Sequence, residues 1–168
     1  MRTITRNRIY MPVTAVLLTF ALAGPAVAED KVIPFKGTLL AKETIVSTQG
    51  SPPVSFVADG SGGGMATQLG LFTLKWEFTV ITANGTGSGP VHYIAANGDE
   101  LFTSVTGTSE ATSTSGVYHI MESQTITGGT GRFANAKGTF FVDRLTDLNS
   151  GVTSGSIIGH ITSPGETH

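Results

Sequence analysis

Over residues 72–81 the apolar side chains of Leu74, Trp76, Phe78 and Val80 alternate with Lys75, Glu77 and Thr79. A period of two sets the two groups on opposite faces of a strand, one face packed and the other facing solvent or a polar interior. The same pattern, divided by Gly, Asn, Ser or Pro clusters, predicts strands over 33–46 (long enough to bend), 54–58, 91–95, 101–106, 117–126, 138–146 and 156–161. No window places apolar residues at helical spacing behind a cap, so no amphipathic helix is expected. Asn97-Gly98 predicts a hairpin closed by a type I′ turn, because that turn needs positive φ at both central residues. The Gly/Ser/Thr-rich stretches 59–64, 83–90 and 108–116 read as exposed, mobile loops.

About eight short strands predict an all-β fold, an antiparallel closed barrel whose closure removes the sheet edges. A β-sandwich gives a similar pattern and stands as the alternative. No repeat or internal domain boundary breaks residues 29–168, which read as one domain.

Composition narrows the chemistry. The 168 residues contain no cysteine, which excludes disulfide scaffolds, thiolate metal sites and cysteine nucleophiles. Residues 1–28 have the form of a cleavable signal peptide: Arg2, Arg6 and Arg8, an apolar run over 13–23, and Ala26-Val27-Ala28 before a cut at Glu29. Pro12, Gly24 and Pro25 bound the run and argue against a membrane anchor. The expected address is therefore periplasmic or extracellular. Cleavage takes three of the ten Lys+Arg and none of the twelve Asp+Glu, leaving seven against twelve, a net charge of −5. An acidic chain argues against nucleic acid and anionic membrane surfaces as partners.

Several motifs fail on context. Gly129-Thr130-Gly131-Arg132-Phe133-Ala134 has the glycine spacing of a dinucleotide loop, but a strand follows where that loop must open a helix. Lys137-Gly138-Thr139 has the wrong order for a phosphate loop, and no G-x-S-x-G elbow supports a hydrolase triad. His92, His119 and His160 lie on three separate strands with no short ligand pair, so they read as individually placed histidines, and no metal or cofactor is expected. Asn84-Gly85-Thr86 fits an N-glycosylation site and marks an exposed loop. Glu77, Glu122, Tyr93 and Tyr118 are the candidate polar groups of a cavity wall. A carboxyl turned inward there would be desolvated and able to act as an acid or base.

The segment Thr127-Gly128-Gly129-Thr130-Gly131-Arg132-Phe133-Ala134-Asn135-Ala136-Lys137-Gly138 resembles the Gly-Gly-Thr-Gly-(basic)-Phe-x-x-Ala-x-Gly signature of the allene oxide cyclase and dirigent β-barrel superfamily. Gly64-Met65-Ala66-Thr67-Gln68-Leu69-Gly70-Leu71-Phe72-Thr73 and Ala95-Ala96-Asn97-Gly98-Asp99 are similar to segments of its small secreted bacterial members, so the likeness spans about residues 35–146. The resemblance implies an eight-stranded antiparallel barrel with a central cavity, in a group where many bacterial members have no assigned activity and dimers or trimers are common; a homo-oligomer is left open. The acidic, tyrosine, arginine or asparagine groups tied to the plant activities match no particular positions here. Physically, Gly128, Gly129 and Gly131 suit positive φ or close backbone approach, Phe133 suits a core anchor, and Gly138 suits a strand start. The expected function is a secreted barrel that holds a small apolar or aromatic molecule. The alternatives are an isomerase or cyclase acting by cavity shape, and a structural or surface-interaction protein with a filled core.

Overall fold

A computed structural model describes residues 31–162; residues 1–30, which include the expected signal peptide, and residues 163–168 lie outside the described part. The strands are β1 (Val32–Gln49), β2 (Ser55–Ala66), β3 (Gly70–Ile81), β4 (Thr86–Ala95), β5 (Glu100–Ala111), β6 (Val117–Gly129), β7 (Gly138–Asp147) and β8 (Val152–Thr162). Each pairs antiparallel with its sequence neighbour, and β1 pairs with β8, so the sheet is a closed eight-stranded barrel rather than a sandwich. One 3-10 turn, Gly131–Phe133, interrupts the β6–β7 connection.

Three stretches read as loops are in large part strand. Residues 59–64 lie wholly inside β2, β4 starts at Thr86, and β5 runs on to Ala111. Across β2, Gly60 pairs with Glu43 on one side and Trp76 on the other. A Cβ on Gly60 would lie 2.0 Å from the Trp76 ring atoms Cε2 and Cζ2. The glycine makes room for a large inward side chain across the strand and does not form a turn. The Asn97-Gly98 hairpin is present, but it is not type I′. Gly98 has φ +87°, whereas Gln68 is the one non-glycine with positive φ among the described residues. Gly98 N–H donates to Ala95 O at 2.9 Å, and Asn97 Oδ1 accepts from Asp99 N–H at 3.2 Å. This is the hairpin class in which only the last turn residue is left-handed.

The two ends of the barrel differ. At the end holding the β2–β3, β4–β5 and β6–β7 connections, the interior is filled by Phe35, Leu69, Tyr93, Leu101, Phe133, Phe140 and Ile161, none more than 2% exposed. Phe35 and Phe140 rings lie 4.8 Å apart, and Phe72 meets Tyr93 edge-on at 5.5 Å. Phe133 reaches this core from the 3-10 turn, so the residues 127–138 fold in as a lid on that end. Gly131 has φ +53° and Gly138 φ +137°, and a Cβ on Gly129 would meet Glu100 O at 2.5 Å. Gly128 has neither positive φ nor any neighbour within 4 Å of a Cβ, so it needs no glycine for space or conformation. No helix among the described residues is long and apolar enough to cross a membrane.

Candidate functional site

The opposite end, where the β1–β2, β3–β4, β5–β6 and β7–β8 hairpins turn, holds a cavity of about 330 Å³. Its walls are mainly apolar, with Phe56, Phe78, Val80, Val105, Ile120 and Leu148. Its floor is ionic: Glu43 from β1, Glu122 from β6, and Arg144 and Thr146 from β7. All four floor residues are buried, none more than 8% exposed.

Local sequence explains how such bulky groups fit inside a narrow barrel. Strand alternation puts Phe140, Val142, Arg144 and Thr146 on the inner face of β7 and Glu122, Gln124 and Ile126 on that of β6. Glycine stands across the seam from the large ones. Gly155 pairs with Arg144 and Gly107 with Glu122. Gly60, between Glu43 and Trp76, lets the indole pass over β2 and donate from Nε1 to Glu43 Oε2 at 3.2 Å.

The floor is one connected network. Arg144 Nε donates to Glu122 Oε1 at 2.8 Å, and its Nη1 faces Glu43 Oε2 at 3.0 Å, Thr146 Oγ1 at 2.7 Å and Thr153 Oγ1 at 3.0 Å. Two hydrogens on Nη1 are thus shared among three acceptors. Thr146 hydroxyl donates onward to Thr153 at 2.8 Å. Gln124 Nε2 donates to Glu122 Oε2 at 3.1 Å, while Gln124 Oε1 accepts from Tyr93 OH at 2.8 Å and Thr103 Oγ1 at 2.9 Å. The guanidinium also lies 5.4 Å from the Trp76 ring centroid, within cation–π range. Burial alone would disfavour its charge, but Glu122 and Glu43 outweigh that and raise the Arg144 pKa above its ordinary value. Tyr93 is pushed strongly upward by burial and then by the Glu122 charge, so it stays a neutral hydrogen-bond donor.

The structure separates the four candidate cavity groups. Glu122 is part of the floor. Tyr93 lies beneath it, fully buried and reaching the network only through Gln124. Tyr118 is half-buried and lines the mouth. Glu77 is exposed on the outer face of β3, paired across the seam with Asp59, because its neighbours Trp76 and Phe78 take the inner face. The three histidines also alternate outward: His92 stands between the inward Val91 and Tyr93, His119 is out of phase with the inward Glu122 and Gln124, and His160 is out of phase with the inward Ile157 and Ile161. His92 Nε2 lies 3.3 Å from Glu100, His119 Nε2 lies 2.7 Å from Asp143, and His160 is exposed. They do not converge in the barrel, and no group of three or more metal-ligating side chains occurs among the described residues. Asn84 sits on the cavity rim, its Oδ1 accepting from Thr86 N–H at 3.1 Å.

Glu43, Trp76, Gln124, Arg144, Thr146 and Thr153 were not singled out by sequence reasoning. The available signal was the period of two: Arg144 falls in phase with Phe140 and Val142, and an arginine in phase with core residues is an inward charge that requires partners.

Comparison with protein-family models and with curated proteins yields no match. Among solved structures, the chain is similar to the pterocarpan synthase dirigent protein GePTS1, with a TM-score of 0.58 and 15% sequence identity over 86% of this chain and 98% of that one. At that identity the likeness speaks to the backbone and not to the chemistry of the cavity. The chain therefore has a dirigent-like fold, an all-β closed barrel of eight antiparallel strands.

Proposed function

We propose that this protein binds a small apolar or aromatic molecule in the open half of its barrel. The carrying observation is the cavity of about 330 Å³ with apolar walls over a hydrogen-bonded ionic floor. Pockets that hold small molecules have this composition, a mostly apolar lining with a few convergent polar groups. A cavity of about 150 Å³ can hold benzene, so this one has room for a bicyclic aromatic with a short polar arm. The export signature of residues 1–28 supports a ligand met outside the cytoplasm, and intact-mass measurement of the exported protein should show a chain beginning at Glu29.

The test is calorimetric titration with naphthylmethanol, a neutral aromatic. One-to-one binding is expected for the wild type and none for Gly87→Leu. Gly87 lines the cavity without positive φ, and its added Cβ would meet Val80 Cγ2 at an ordinary 3.4 Å, so the leucine fills the space without straining the backbone. Equal binding by both proteins, or no binding of this probe or of its charged analogues by the wild type, would refute the assignment.

One observation favours a catalytic reading as the second choice. Two carboxyl groups, Glu43 and Glu122, face the same cavity and could exchange a proton with a bound molecule. Under that reading Glu122→Gln abolishes turnover, and an unchanged rate removes Glu122 from the chemistry.

A further inference from the structure

We infer that the cavity's ligand carries a cationic amine head, which seats against Glu43. The inference rests on the proposed cavity-binding function and deepens it. Three charged residues line the cavity, Glu43, Glu122 and Arg144, so two acidic groups share one basic partner. Both ion pairs converge on that single guanidinium, at 3.0 Å to Glu43 and 2.8 Å to Glu122. Formally the floor carries one negative charge too many.

The surplus is localised by the hydrogen bonds. Both Glu122 oxygens are engaged, Oε1 by Arg144 and Oε2 by Gln124. On Glu43, Oε2 takes both the Arg144 and the Trp76 donors, and no described residue donates to Oε1. Glu43 is only 8% exposed and lines the cavity, and Oε1 is the oxygen its internal partners leave free for a guest. A buried charge is costly unless it is paired, so a half-used carboxylate on a cavity floor calls for a charge supplied from outside. The walls suit the same guest. Phe56, Phe78 and Tyr118 line the space above, and aromatic faces attract cations. An anionic head would instead meet two carboxylates for one guanidinium.

The experiment compares three probes of one shape on the wild-type protein: naphthylmethylamine, protonated at neutral pH, naphthylmethanol and naphthoate. The amine should bind at least tenfold more tightly than the alcohol, about 1.4 kcal/mol, and naphthoate most weakly. In Glu43→Gln the amine's advantage over the alcohol should vanish. If the alcohol binds and the amine binds no better, the amine inference falls and the cavity reading stands. Tighter binding of naphthoate overturns the inference in the opposite sense. If none of the three binds, both readings fall together. The wild-type comparison decides the matter even if Glu43→Gln does not fold.

Discussion

Removing the one cation from the barrel floor should be far more damaging than removing either anion's charge. Arg144 is 4% exposed and donates to two buried carboxyls and two buried threonine hydroxyls. Arg144→Met keeps much of the volume but leaves Glu43 and Glu122 facing each other in a poorly solvated site. Deleting one partner of a buried ion pair costs roughly 3–5 kcal/mol. With a urea m-value of about 2 kcal/mol/M, the unfolding midpoint should fall by roughly 2 M. Glu122→Gln is intermediate, at about 1–3 kcal/mol. Both of its oxygens accept, so the new amide must point a donor at either Arg144 or Gln124, and Gln124 cannot simply turn over because its own Oε1 serves Tyr93 and Thr103. Glu43→Gln should cost least, about 1 kcal/mol or less. Its single remaining oxygen still takes Trp76 and Arg144, and the surplus charge is gone. The assay is urea unfolding followed by far-ultraviolet circular dichroism, because Trp76 touches both ends of the ion pair and its fluorescence would change in the native state. The ranking is the test. If Glu43→Gln is as destabilising as Glu122→Gln, or if Arg144→Met is mild, the charge accounting of the floor is wrong.

Three further outcomes follow from the same geometry. Gly60→Ala should lower stability by about 1–3 kcal/mol through overpacking and shift the emission of the single tryptophan, whereas Gly128→Ala, with open space at its Cβ, should do neither. Tyr93 should show no tyrosinate absorbance in the native barrel. Because its folded pKa lies above the ordinary 10.0, the stability it confers is intact below that pH and declines as pH rises beyond it, visible as alkaline unfolding that Tyr93→Phe reduces. Asp147 is held below its ordinary 3.8 by the Ser150 hydroxyl and the Asn149 backbone, so its contribution is present above that value and lost as pH falls through the lowered pKa. In Ser150→Ala, NMR titration should find the carboxyl moved back up.

Much of the architecture was legible because alternation is a strong signal when one face is dry. Leu74, Trp76, Phe78 and Val80 do share the inner face of β3, and eight such runs close into the barrel. What failed was the meaning of glycine. In 59–64 and 86–90 the same letters that build turns instead run as strand, with Gly60 and Gly87 on the inner face, and the difference lies in the residue across the seam, which a linear reading does not contain. The site was obscured for a related reason. Glu122 and Tyr93 stood out as polar residues inside strands, but Glu43 and Arg144 are 101 residues apart and acquire significance only when β7, β8 and β1 lie side by side. Glu77 looked equivalent to Glu122 in composition; its phase relative to Trp76 puts it outside.

The seam between β1 and β8 has a consequence for biosynthesis. Seven of the barrel's eight seams join consecutive strands and can zip as hairpins while the chain emerges, but this one joins its first and last strands. Until β8 docks, β1 and β7 each present an unpaired edge, the feature that recruits foreign strands and seeds aggregates. Closure also brings together Glu43, Arg144 and Thr153, so a chain stalled one strand short has an open edge and an unfinished pocket floor at the same time. Quality control that recognises exposed edges would therefore also screen for a complete binding site, with a single late event serving as the checkpoint for both.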